Sequence, residues 1–241
     1  MISLKSLIKH RNPKTTLRET VQRLKEEDEA EAELEKAFSD AFNSVMSDFS
    51  SAGKEAEQKV NDDKAVEDAL KKTPELQKVA NESYRRINSA LTENNKRKQQ
   101  INEVGFLFAV GIALAIPRIV ELIGKLVSIV EKKLGGKSAV GEKLQHAGHE
   151  MHHMIISFVE KGLKFIPGFS KLPADKQEKI AHTVMTVIVA MLAVYSGAGA
   201  IEALTKGDTV IAGIEAALAA VKSDEVGITK FLSSAISKII A

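Results

Sequence analysis

The run IAHTVMTVIVAMLAVYSGAGAI at Ile180–Ile201 contains no Asp, Glu, Lys or Arg, and a second run, VGFLFAVGIALAI at Val104–Ile116, is equally free of charge. A helix that meets water on one side needs a polar stripe. Neither run offers one, so both are expected to form helices covered on every side by protein or by lipid. The longer run also reaches the roughly 20 residues that a helix needs to cross a bilayer.

The flanking sequence sets the rest of the second half. Arg118, Glu121, Lys125 and Lys132 share one stripe, whereas everything from Val104 to Ile116 is apolar. A helix from about Asn102 to Lys133 is therefore expected to be enclosed at one end and amphipathic at the other, with a bend at Pro117. Gly135-Gly136 reads as its terminator. A helix over Ser138–Phe165, a turn-rich break at IPGFSKLPADKQ, the uncharged helix over Ala174–Leu204 and an Ala-rich helix over Asp208–Lys222 follow. Gly227–Ile240 closes the chain as an amphipathic helix with Ile228, Phe231, Leu232, Ala235, Ile236 and Ile239 on one face. It is too short to span hydrocarbon, so Phe231, Leu232, Ile236 and Ile239 are expected to contact a membrane interface or a partner.

The first half is rich in charge. Leu17, Val21, Leu24, Leu34, Phe38, Phe42, Val45 and Phe49 recur by threes and fours on either side of an acidic patch, which predicts a long helix over Thr16–Phe49. A polar stretch around Ser50–Asp63 separates it from Thr73-Pro74, a helix start in which Thr can cap and Pro can occupy the first turn. Leu76, Ala80, Ser83, Ile87 and Ala90 then form a narrow seam suited to a helical hairpin or coiled coil. The segment NNKRKQQ at Asn94–Gln100 marks the change of composition. No strand pattern competes, so the fold class is all-α: an amphipathic segment (1–15), a charged helical or coiled-coil arm (16–100) and a hydrophobic multi-helix module (101–241).

Composition narrows the function. The 241 residues are 44% hydrophobic, enough for a substantial core, and 34 Lys and Arg against 32 Asp and Glu give a net charge of only +2. A nucleic-acid binder needs a concentrated basic surface, so no nucleic-acid partner is expected. The absence of Cys removes thiol chemistry and disulfides. The opening MISLKSLIKH is amphipathic but lacks the apolar core and cleavage site of a secretory signal, so Sec-type export is not expected. There is no Trp and few Tyr, which removes the aromatic belt of a conventional transmembrane protein. Phosphate-loop and nucleophile-elbow patterns are absent.

One constellation carries possible chemistry. QHAGHEMHHM contains His146, His149, His152 and His153, and its core His149-Glu150-Met151-His152-His153 fits H-E-x-x-H. In these five residues it resembles the zinc-binding helix of zincin metalloproteases. That resemblance implies His149 and His153 as zinc ligands, with His146 beside them, and Glu150 as the base that activates a zinc-bound water. On a helix these histidines lie nearly opposite Val140, Leu144, Ala147, Met151 and Phe158, a placement that favours a solvated or partner-facing polar face. No zincin continuation supplies a third ligand. The expectation is no cofactor, with zinc as the alternative.

Two resemblances of organisation complete the reading. The charged helices followed by long apolar helices resemble α-helical membrane-active proteins, including pore-forming modules with a hydrophobic hairpin. MISLKSLIKH together with GAGAIEAL and IAGIEAALAAV resembles virion structural proteins of large T4-like tailed phages, whose internal head proteins carry an N-terminal sorting segment cut after a glutamate. Leu7-Ile8-Lys9-His10 has no such glutamate. These features imply a non-enzymatic helical structural protein that associates with protein partners, with copies of itself in a large assembly such as a virion, or with a membrane. The alternative is a membrane-associated zinc metallopeptidase.

Overall fold

A computed structural model describes residues 17–92, 96–136, 150–196 and 211–241, and all regular structure among them is helical. Among the described residues there are eight α-helices: α1 (Leu17–Lys59), α2 (Asp63–Lys72), α3 (Pro74–Thr92), α4 (Lys96–Lys133), α5 (Glu150–Leu163), α6 (Ala174–Ser196), α7 (Ile211–Ser223) and α8 (Glu225–Ile240). A 3-10 turn, Phe169–Lys171, precedes α6.

Helix α4 is the axis of the fold. It packs most extensively on α3 and α1 and also touches α2, α8 and α6. Phe108, Ile112, Ile116, Ile119, Leu122, Ile123 and Leu126 are fully buried along it. The stripe read from the sequence is present: Pro117, Arg118, Glu121, Lys125 and Lys132 are exposed, and the helix continues through Pro117. Gly135 and Gly136 end it in left-handed backbone, with Gly136 N–H donating to the Glu131 carbonyl.

The polar stretch after Phe49 does not end the first helix. Helix α1 runs on to Lys59 because Ala52, Gly53 and Ala56 continue its buried face. The chain breaks instead at Asp62, whose carboxylate accepts from the Lys64 and Ala65 N–H groups and caps α2. Thr73 closes α2 rather than capping α3, because its hydroxyl donates to the Ala69 carbonyl at 2.8 Å. The seam on α3 then packs within the chain: Leu76 and Ala80 are buried in the same core as α4, and the two helices form a hairpin.

Two ion pairs fix the register of α1 on α4. Lys133 reaches Asp40 at 2.8 Å and Lys125 reaches Asp48 at 3.4 Å. The partners are equally spaced in both helices but in opposite order, so α1 and α4 run antiparallel. Within the charged first half, the face from Leu34 to Ala56 lies in one core with α4, α5 and α6. Helix α5 contributes Ile155, Ile156, Val159 and Leu163, with Phe158 stacked on Phe42 at a centroid distance of 4.9 Å.

The turn after α5 is wedged between α1 and α4. A β-carbon on Gly53 would run into the Phe165 carbonyl, and one on Gly111 would stand 2.9 Å from the Pro167 carbonyl. Gly168, at φ +81, brings the backbone against Phe108, and Phe169 packs on the Phe108 ring at 6.0 Å.

Candidate functional site

Among the described residues two helices are long and apolar enough to cross a membrane: Glu103–Lys133 within α4, with a mean hydropathy of 2.2, and Ala174–Val194 within α6, at 1.3. In each, 67% of the apolar window is buried inside the chain itself. Val184–Ala193 is buried without interruption, enclosed by α7, α5, α8 and α4. The later part of the quoted run, Gly197–Ile201, lies outside the described residues. Thr186, a polar residue inside this stretch, donates its hydroxyl to the His182 carbonyl at 2.7 Å, so its burial leaves no unmet donor. His182 itself is partly exposed beside Glu178, one turn away.

The apolar face of α8 turns inward. Leu232 and Ile236 are fully covered by the chain, and Phe231 and Ile239 are partly covered. In this conformation the four residues expected to meet a membrane or partner are occupied by packing on α4, α6, α7 and α3. Ser233 and Ser237 are buried on the same face and return their hydroxyls to the Thr229 and Ser234 carbonyls. Small hydroxyl residues at these positions let α8 approach closely, which a hydrophobic-pattern reading misses. Asp224 caps the helix by accepting from Gly227 N–H, and Lys176 at the start of α6 donates to the Ile240 carbonyl at 2.8 Å.

The histidine cluster is only partly in view. His146 and His149 lie outside the described residues, and Glu150 and His153 are placed only as backbone positions in the first turn of α5. Among the described residues no group of three His, Asp or Glu could hold a metal ion. The zinc reading therefore stands on the H-E-x-x-H pattern alone.

A cleft of about 790 Å³ opens where α1, α2, α4 and α8 meet over Pro117. Ala52, Ala56, Ala69, Ala113 and Leu114 supply its small apolar walls. Proline has no N–H, so the Ala113 carbonyl loses its usual helical donor on this side. The rim is electrically balanced: Glu55 pairs with Lys59, and Arg118 pairs with Glu121. The Lys59 ammonium, with help from Arg118, holds the Glu55 carboxyl below the usual carboxylate range. Nothing in this rim singles out a charged ligand or a nucleophile.

At the far end of the α3–α4 hairpin the cover thins. Val104, Gly105, Phe106 and Leu107 are only half-buried, and Tyr84 is 54% exposed while its ring lies 6.1 Å from that of Phe106. The sequence gives the apolarity of this end; it gives no sign that the end stays uncovered.

No family model matches this chain, and no curated protein or solved structure matches it. Function has to be argued from the packing.

Proposed function

We propose that this chain is a non-enzymatic helical structural protein that attaches to a membrane or to a large assembly such as a virion, with the membrane the better supported of the two. One observation carries the reading. Two helices with the length and apolarity of membrane spans are held inside a shell of amphipathic helices, with the entrance of α4 left half-covered. Surface helices of soluble proteins carry a polar face, whereas residues 104–116 and 184–194 carry no charge at all, as in a helix enclosed by protein or by lipid. An apolar surface on all sides is met equally by neighbouring helices or by lipid, so the same segments are compatible with both surroundings.

The experiment is membrane partition of the full chain, followed by alkaline extraction. The expected result is sedimentation with membranes and resistance to extraction. Complete recovery in the supernatant, as a monomer that joins no larger particle, would overturn the proposal.

A further inference from the structure

We infer that the junction between α7 and α8 is a strained hinge and that α8 is a strap, whose release joins α7 and α8 into one continuous helix and turns the apolar face of α8 toward an anionic lipid interface. The lipid part rests on the membrane reading above; the hinge stands on the backbone alone.

One residue, Asp224, separates the two helices, and its backbone sits at φ 152 and ψ −170. Among the described residues it is the one non-glycine at positive φ, in a region that glycine occupies freely and that strains any side chain. The glycine stands three residues later. A β-carbon on Gly227 would run into the Ser223 hydroxyl and stand 2.6 Å from the Ala220 carbonyl oxygen, so the bend needs a glycine there. Position 227 suits the bent form and position 224 opposes it. The straight alternative is partly in place: Asp224 N–H donates to the Ala220 carbonyl at 3.5 Å and Ile228 N–H to the Asp224 carbonyl at 3.1 Å, both in helical register. A continuous helix relaxes Asp224 and adds bonds from the Glu225, Val226 and Gly227 N–H groups to the Val221, Lys222 and Ser223 carbonyls.

Burial of Ile228, Leu232, Ile236 and Ile240 holds the strap down, and Lys176 ties its far end through the Ile240 carbonyl. That burial outweighs one strained residue, so the bent form is the one populated in water. An interface that takes the same face removes the advantage and shifts the balance. From Val226 to Ile240 the only charges are Lys230 and Lys238, both exposed. A basic amphipathic helix of this kind lies in the headgroup layer of an anionic bilayer. Release leaves α7 packed on α6, so the strap stays tethered. Its near edge is not sealed: Glu225, Val226, Thr229 and Lys230 border the cleft over Pro117, and Val226 is 57% exposed.

The test uses the full chain, whose lack of Cys makes introduced thiols unique, and vesicles of phosphatidylcholine, alone or mixed with phosphatidylglycerol. Spin labels on Ala216→Cys and Ser234→Cys should move apart to about 27 Å on the anionic vesicles, the separation in one straight helix. Asp224→Gly should raise the thermal midpoint in water by about 2 °C or more and weaken vesicle binding about threefold or more, because it relaxes the bent form. Gly227→Ala, which only the straight form accommodates, should lower the midpoint and strengthen binding by a similar factor. A bismaleimide cross-link between Lys176→Cys and Ala241→Cys should hold the strap down and abolish the preference for anionic vesicles. A midpoint that stays or falls in Asp224→Gly, as for glycine placed inside an ordinary helix, or an unchanged label separation on bound vesicles, would overturn the hinge and leave the membrane reading standing. Binding of no variant to either vesicle would overturn the membrane reading and the lipid part together, while the opposite midpoint shifts still decide the hinge. Self-association of Gly227→Ala without vesicles would assign the freed face to a second copy and overturn the lipid part.

Discussion

The middle of α6 and the entrance of α4 are equally apolar and differently housed. Val184–Ala193 is buried residue by residue, while Val104–Leu107 is half-covered and borders the exposed Tyr84. Both segments lack charge, so composition gives them the same need. The difference is supplied by neighbours: α6 lies among α4, α5, α7 and α8, whereas the start of α4 has chiefly α3 beside it among the described residues. An uncharged run thus states a demand for cover and leaves open whether the same chain will meet it.

The contrast is broken most severely by a charge at its buried pole. Val189→Asp places a carboxylate in the middle of the uninterrupted buried run Val184–Ala193, and it should cost at least about 4 kcal/mol, a large part of a domain's usual stability. Chemical denaturation of the purified variant measures this; wild-type stability would show that α6 is not enclosed. Leu107→Ser, at the half-covered pole, should cost only about 1 kcal/mol by the same measurement. A similar loss at both sites would erase the distinction.

Phe42→Ala comes next. Phe42 is fully buried and stacked on Phe158, so its truncation should cost about 3–5 kcal/mol and loosen α5 from α1. Hydrogen exchange should then rise in α5 before it rises in α4. Gly53→Ala tests the wedge beneath these helices. The added methyl meets the Phe165 backbone, which cannot rotate away as a side chain would, and thermal unfolding should show a loss of about 1–3 kcal/mol of stability. Gain of stability, as for glycine replacement in an ordinary exposed helix, would remove the wedge from the argument.

The smallest effect is electrostatic. The hydrogen bond from Lys133 holds the Asp40 carboxyl below its ordinary value of 3.8. A lowered native pKa means stability that is fully present above the unfolded value and is lost as pH falls through the native one. Wild-type stability should therefore fall more steeply on acidification below about pH 5 than that of Asp40→Asn. Both groups are exposed, so salt should flatten the difference. Identical acid profiles would leave the Asp40 and Lys133 pair as geometry without energetic weight.

Much of this architecture is legible in residue order. The helical class follows from spacing by threes and fours. The exposed stripe Arg118, Glu121, Lys125 and Lys132 and the Gly135-Gly136 stop follow from single-helix geometry, and so does the enclosed character of residues 184–193. These are properties of one helix and its immediate neighbours in sequence, and local sequence contains them.

Other features depend on which surfaces meet. The sequence separates a charged first half from an apolar second half, yet Leu34, Phe38 and Phe42 share one core with α4 and α6. Composition changes at Asn94–Gln100, but burial depends on contacts between residues far apart in the chain. Gly53 and Gly111 look like weak points of a helix until the turn Phe165–Gly168 is seated between them. Phe231, Leu232, Ile236 and Ile239 form an apolar face in any helical reading. Their occupation by the chain itself is decided only when α8 folds back over α4 and α6. The sequence by itself determined which residues must leave water, because that follows from side-chain polarity and helical period. The tertiary structure decided what covers them, because cover is a property of pairs of surfaces and no single segment contains its partner.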